Sequence, residues 1–144
     1  MSDWQRKALA LFPEHQASIE LEEGALLELF WELCMRSTDA HRAGDAELLR
    51  RVHGFAEWCM RQGGDLWNQA AIGFYEDLLH MMEREWELVV PWLSPWVCDE
   101  LHSTWALDPP GEPARSAEFR EMMRGRKEHF YRTHVYFTGE IEQL

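Results

Sequence analysis

The sequence has no apolar run long enough to cross a membrane as a helix. Its longest uncharged stretch, Leu88 to Cys98 in "ELVVPWLSPWVCDELHSTW", holds eleven residues against the roughly 20 a spanning helix needs. Cysteine is scarce as well: Cys34, Cys59 and Cys98 are an odd number, widely spaced, with no Cys-x-x-Cys pair. That pattern speaks against a disulfide framework and suits thiols buried as small hydrophobes in a reducing compartment. Adjacent glycines occur only in "RQGGD", which has neither the spacing of a phosphate loop nor the Lys-Ser/Thr that follows one. No serine stands in a Gly-x-Ser-x-Gly turn, so nucleophilic catalysis has no motif to rest on. Positive charge is also short. Fourteen Lys and Arg face 26 Asp and Glu, a net charge of −12, which speaks against nucleic acid as a partner because such binding neutralises phosphates. "MSDWQRKALALF" lacks the apolar core of an export signal, so the expected location is cytoplasmic.

What is present is helical periodicity. A chain of 144 residues fits a single domain, 1–144, that buries roughly two-thirds of its unfolded surface. Ser2 and Gln5 have capping-box spacing and open a short helix ending near Phe12-Pro13. Residues 13–24 read as a linker. Leu26, Phe30, Leu33 and Leu27, Trp31, Cys34 then recur at helical steps. Gly44 is a stop and Asp45 an N-cap for a helix aligning Leu48, Val52, Phe55 and Cys59. After Gly63-Gly64, with Asp65 as the expected cap, Trp67, Ala71, Phe74, Leu78 and Met81 form a third stripe. Three helices of about five turns on links of two or three residues should pack as antiparallel neighbours. Pro91 should end or kink the helix through "EREWELVV", and Ser94-Pro95 should start another running to about residue 105. The expected fold is all-α, an antiparallel helical bundle of about five to seven helices, with helical-hairpin repeats as a variant. "FWELCMR" (30–36) and "FAEWCMR" (55–61) match at five of seven offsets, although a 25-residue period is shorter than such repeats.

Two groups of residues invite a functional reading. Residues 65–112 hold ten acidic residues and only Arg84 as a cation, whereas 113–134 hold six cations and three Glu. The acidic stretch also carries tryptophan. Trp58 and Trp86 stand beside charged residues and are expected half-exposed, whereas Trp31, Trp67, Trp92, Trp96 and Trp105 are expected in the core. Glu83, Glu85, Trp86 and Glu87 therefore form a candidate surface for a basic protein, since aromatic anchors and cation–π contacts favour arginine and lysine. The second group is a pair of Asp-x-x-His motifs, Asp77/His80 and Asp99/His102. Residues three apart share a helix face, and helical-bundle metal sites draw Glu-x-x-His from two helices and Glu from two others. Glu32 and Glu57 stand at matching points of the near-repeat and are the candidates for those last places. Asp is one methylene shorter than Glu, and the pattern is met at one spacing only, so no cofactor is expected.

"FPEHQASIELEEG" followed by "LFWELC", and later "AAIGFYEDLLHMM", resembles small all-helical bacterial proteins grouped as domains of unknown function, some of them encoded beside toxin systems. The resemblance covers residues 12–82 and brings no catalytic residues. It implies a compact helical cytoplasmic protein and allows an immunity or accessory role. The leading expectation is a non-enzymatic module that binds a basic partner. A metal-binding bundle enzyme using Asp77, His80, Asp99 and His102 is the alternative, and a structural subunit of an oligomer is a third. Oligomeric state has no sequence signal.

Overall fold

The structure, a computed structural model, describes residues 1–21, 25–105, 117, 121 and 138–144. Every regular element among them is helical. The chain divides into two compact units, Met1–Met81 with Tyr136–Leu144, and Met82–Val135. No helix among the described residues is long and apolar enough to cross a membrane.

The first unit begins with α1 (Asp3–Leu11), where Ser2 and Gln5 complete the expected capping box. A 3-10 turn (Pro13–His15) and the single-turn α2 (Gln16–Ile19) replace the expected linker. α3 (Ala25–Ala43) and α4 (Ala46–Gln62) follow as the stripes indicated. Asp45 accepts from the Leu48 amide at 3.2 Å, a cap that contributes about 1 kcal/mol. The next helix differs from expectation at its start. Gly63 and Gly64 both take positive φ (77° and 56°), so the chain turns directly into α5 (Gly64–Ala70), and Asp65 lies inside the first turn instead of capping it. These backbone angles strain any residue with a Cβ.

α5 runs on through a π-helical stretch (Ala71–Glu76) into α6 (Asp77–Met81). The stretch carries Gly73, and a Cβ there would lie 3.0 Å from Leu27 Cδ2. Glycine thus lets this helix approach α3 closely, and the widened turn resets which residues face inward. Ala70, Ala71, Phe74, Tyr75, Leu78 and Leu79 are buried, while Met81, at the end of the expected stripe, is partly exposed.

The core of this unit is aromatic. Phe55 packs edge-on to Phe12 (5.8 Å between centroids), tilted against Phe30 (5.7 Å) and stacked with Trp58 (6.4 Å). Phe74 continues the row from Phe30 at 5.8 Å. A last short helix, α9 (Thr138–Glu142), packs on α4. It is tied in by Lys7, whose Nζ donates to the carbonyls of Ile141 (2.9 Å) and Glu142 (3.2 Å). Trp58 Nε1 donates to Glu142 Oε1 at 2.6 Å.

In the second unit the helix expected through "EREWELVV" is shorter than its pattern suggested. A turn at residues 82–84 precedes α7 (Trp86–Val89), and the chain tightens to 3-10 geometry over Val90–Trp92. Pro91 stops the helix as its missing N–H requires. Ser94 Oγ then accepts from the Val97 amide at 3.2 Å, and α8 (Pro95–Trp105) begins on proline. Met82, Trp86, Val89, Val90, Leu93, Val97, Cys98 and Leu101 are buried apolar residues among those described in this unit.

Candidate functional site

The acidic segment 83–87 is placed by the turn at residues 82–84 and by α7. Glu83 and Glu87 are exposed and Glu85 is half-buried. Trp86, expected half-exposed, is only 4% exposed, which corrects its reading as a contact residue. Successive helical residues point about 100° apart, so acidic neighbours in sequence say nothing about the face an intervening tryptophan takes. Trp86 fixes α7 in the fold, with Glu87 exposed on the helix and Glu83 exposed in the preceding turn. Trp58 is corrected in the same way. At 2% exposure its ring lies under the Lys7 ammonium (5.2 Å) and its N–H is held by Glu142.

Trp31 errs in the opposite direction. It was expected in the core and is 56% exposed, with Leu27 at 50% and Met35 at 44%. These three stand at i, i+4 and i+8 of α3 and form a ridge. The adjoining helix adds Ile72 and Met81: Leu27 touches the position of Gly73, and the Cys34 thiol reaches Met81 Sδ at 3.7 Å. Sequence periodicity marked an apolar arc about 160° wide on α3 but could not show that the protein covers only part of it.

The Asp-x-x-His pairs are divided between the units. Asp77 and His80 are exposed on α6, and Asp99 is exposed on α8; the side chain of His102 lies outside the described residues. Among the described residues no three His, Cys, Asp or Glu side chains group as a metal site. Glu32 and Glu57, the candidates for the remaining ligands, hold other partners. Glu57 pairs with Arg61 at 2.9 Å. Glu32 accepts from Ser18 Oγ (2.5 Å) and bonds His15 Nδ1 (2.5 Å).

That last contact belongs to a network with no signature in the residue pattern. Arg36 Nη1 lies 2.7 Å from His15 Nε2 and 2.8 Å from Glu14 Oε1. A guanidinium only donates, so His15 Nε2 must accept and the ring proton sits on Nδ1, facing Glu32. Burial would raise the Glu14 carboxyl, but the Arg36 hydrogen bond, a backbone bond and the charges of Arg36 and Arg51 outweigh it and hold the group below its ordinary value. With every imidazole nitrogen and both Glu32 oxygens engaged, the network locks α2 and its 3-10 turn onto α3.

Two further histidines meet inside the first unit. His41 on α3 and His53 on α4 are buried and join Nε2 to Nε2 at 2.9 Å, so one ring donates and the other accepts. Burial pushes His53 well below its ordinary value of 6.5, and the charge His41 would carry pushes it further. The unfolded chain takes up a proton near pH 6.5 that the folded one refuses, so the unfolded state binds more protons on the acid side. Stability is therefore expected to stay level above about pH 6.5 and fall below it, down toward the depressed folded value. Denaturant titrations between pH 8 and pH 4.5 measure this, and His53→Gln should flatten the slope. The thiols titrate in the other direction. Burial, with the nearby Asp77 charge, moves Cys34 up to about 12, and burial holds Cys59 well above its ordinary value. Neither is suited to act as a nucleophile.

The described residues thus define an all-helical protein with internal polar clusters, exposed acidic side chains and an exposed apolar ridge. A family model for a domain of unknown function (DUF7674) matches residues 6–105, and the chain belongs to that family. No curated protein and no solved structure matches it.

Proposed function

We propose that this chain is a non-enzymatic protein-binding module that acts in the bacterial cytoplasm by capturing a basic partner, in the manner of an immunity or accessory protein. The observation that carries this reading is the presentation of Glu83 and Glu87 on either side of a buried Trp86. Carboxylates projecting from a backbone already fixed by a core anchor lose little freedom on binding, and a field of one sign speeds association with its opposite. The excess of ten acidic residues over one arginine across 65–112 supports the same reading. Triple charge reversal, Glu83→Lys with Glu85→Lys and Glu87→Lys, is expected to weaken partner capture by at least about tenfold and to reduce its salt dependence. The circular dichroism should not change. Unaltered capture by a folded triple variant would contradict the assignment.

A further inference from the structure

The α3 ridge is an apolar feature of the first unit that the packing of its described residues leaves exposed. Leu27, Trp31 and Met35 climb one side of α3 over two turns, and Ile72 and Met81 extend the surface onto the neighbouring helix. Helix side chains four apart stand one above another, so the three make a continuous strip. A strip of this shape takes the apolar stripe of another helix, read at i, i+4 and i+8.

Charge identifies the occupant. Glu28 lies beside Leu27 and one turn before Trp31, and Asp39 stands one turn beyond Met35; both are exposed. Glu76 and Asp77 are exposed on the other flank, and the Asp77 charge is felt at Cys34, between Trp31 and Met35 in α3. Arg42 and His80 are exposed on these same stretches, and Arg36, 37% exposed at its side chain, is engaged with Glu14 and His15, so acid predominates along the border. A second copy docking on a two-fold axis would bring this acidic border against itself. A helix with lysine or arginine beside its apolar stripe would pair with it. Trp31 adds a ring face for cation–π contact.

We propose that the ridge Leu27–Trp31–Met35, with Ile72 and Met81, docks one amphipathic helix of a basic protein, the apolar stripe on the ridge and the flanking cations toward Glu28, Asp39, Glu76 and Asp77. This rests on the protein-binding reading above and gives the partner a specific form.

The test is fluorescence anisotropy of the full chain with a labelled amphipathic peptide of about 18 residues, five helical turns, carrying leucine at every third or fourth position and lysine on both flanks. A second peptide has glutamate in place of lysine. The lysine peptide should bind the native chain and lose at least about tenfold in affinity with Trp31→Ser and with Met35→Ser, while the glutamate peptide should not bind. Both substitutions are at exposed positions, and circular dichroism checks that the fold is kept. Equal binding by Trp31→Ser and the native chain would overturn the ridge; if the triple reversal at 83, 85 and 87 then abolished binding, the acidic-segment reading would stand without it. No binding of the lysine peptide to the native chain would overturn the ridge too. So would sedimentation showing a dimer that Trp31→Ser dissolves, which would make a second copy the occupant.

Discussion

Phe55→Ala is expected to lower the stability of the first unit by about 4 kcal/mol, the range for a fully buried phenylalanine. The size follows from the position. Phe55 is inaccessible to solvent and touches Phe12 after α1, Phe30 on α3 and Trp58 one turn further along α4. Truncation removes its transfer free energy and leaves a void bounded by rings from three segments, none of which can fill it without abandoning its other contacts. Chemical denaturation followed by far-ultraviolet circular dichroism measures the loss. Trp31→Ser is the control, expected within about 0.5 kcal/mol of the native chain because its side chain is mostly in water. A comparable loss at both positions would contradict the division between a packed core and an open ridge.

The second large effect is expected at Lys7. Its side chain is only 3% exposed and its ammonium serves the carbonyls of Ile141 and Glu142, the last two residues of α9. Those carbonyls have no partner within the helix, and a cation is favoured beside them. Lys7→Met keeps the length of the chain over Trp58 but removes the donor. The Ile141 carbonyl keeps the Leu144 amide as a donor at 3.1 Å, the Glu142 carbonyl loses its ammonium, and a loss of about 1–2 kcal/mol is expected. The loss should be concentrated where the contact is. Amides of residues 138–144 should exchange much faster, and the Trp58 indole N–H, held by Glu142, should shift in proton spectra. Unchanged exchange in that segment would mean α9 is held without Lys7, by buried Ile141, the Trp58–Glu142 bond and the Arg50–Glu140 pair.

The parts of this fold that were legible in the sequence are those decided within one or two turns. The capping box at Ser2, the cap at Asp45, the stop at Pro91 and the restart at Ser94-Pro95 depend on local hydrogen bonding, and they stand where their patterns indicate. What depends on distant partners was not legible. Trp58 is buried because Lys7 and Glu142 come to it from opposite ends of the chain. Trp31, on an equally apolar arc, is open because Gly73 and the π-helical stretch bring the neighbouring helix onto the Leu27/Phe30 side. The near-repeat shows the same limit. Phe30 and Phe55 are both core, yet Met35 is exposed where its counterpart Met60 is buried. Of the acidic surface, its composition was legible; that Trp86 anchors it from beneath depends on packing.

The central claim, that this chain works by binding a basic protein, is tested most directly by photo-crosslinking in the native cell. A photoreactive phenylalanine analogue is placed at position 87 in one variant and at position 31 in another, and the crosslinked chain is identified by mass spectrometry. The account predicts a basic protein captured about one to one from position 87 and lost when Glu83 and Glu85 are reversed to lysine, and a basic protein captured from position 31. Crosslinks to a second copy of the chain, to acidic proteins, or to nothing above background at either position would contradict it.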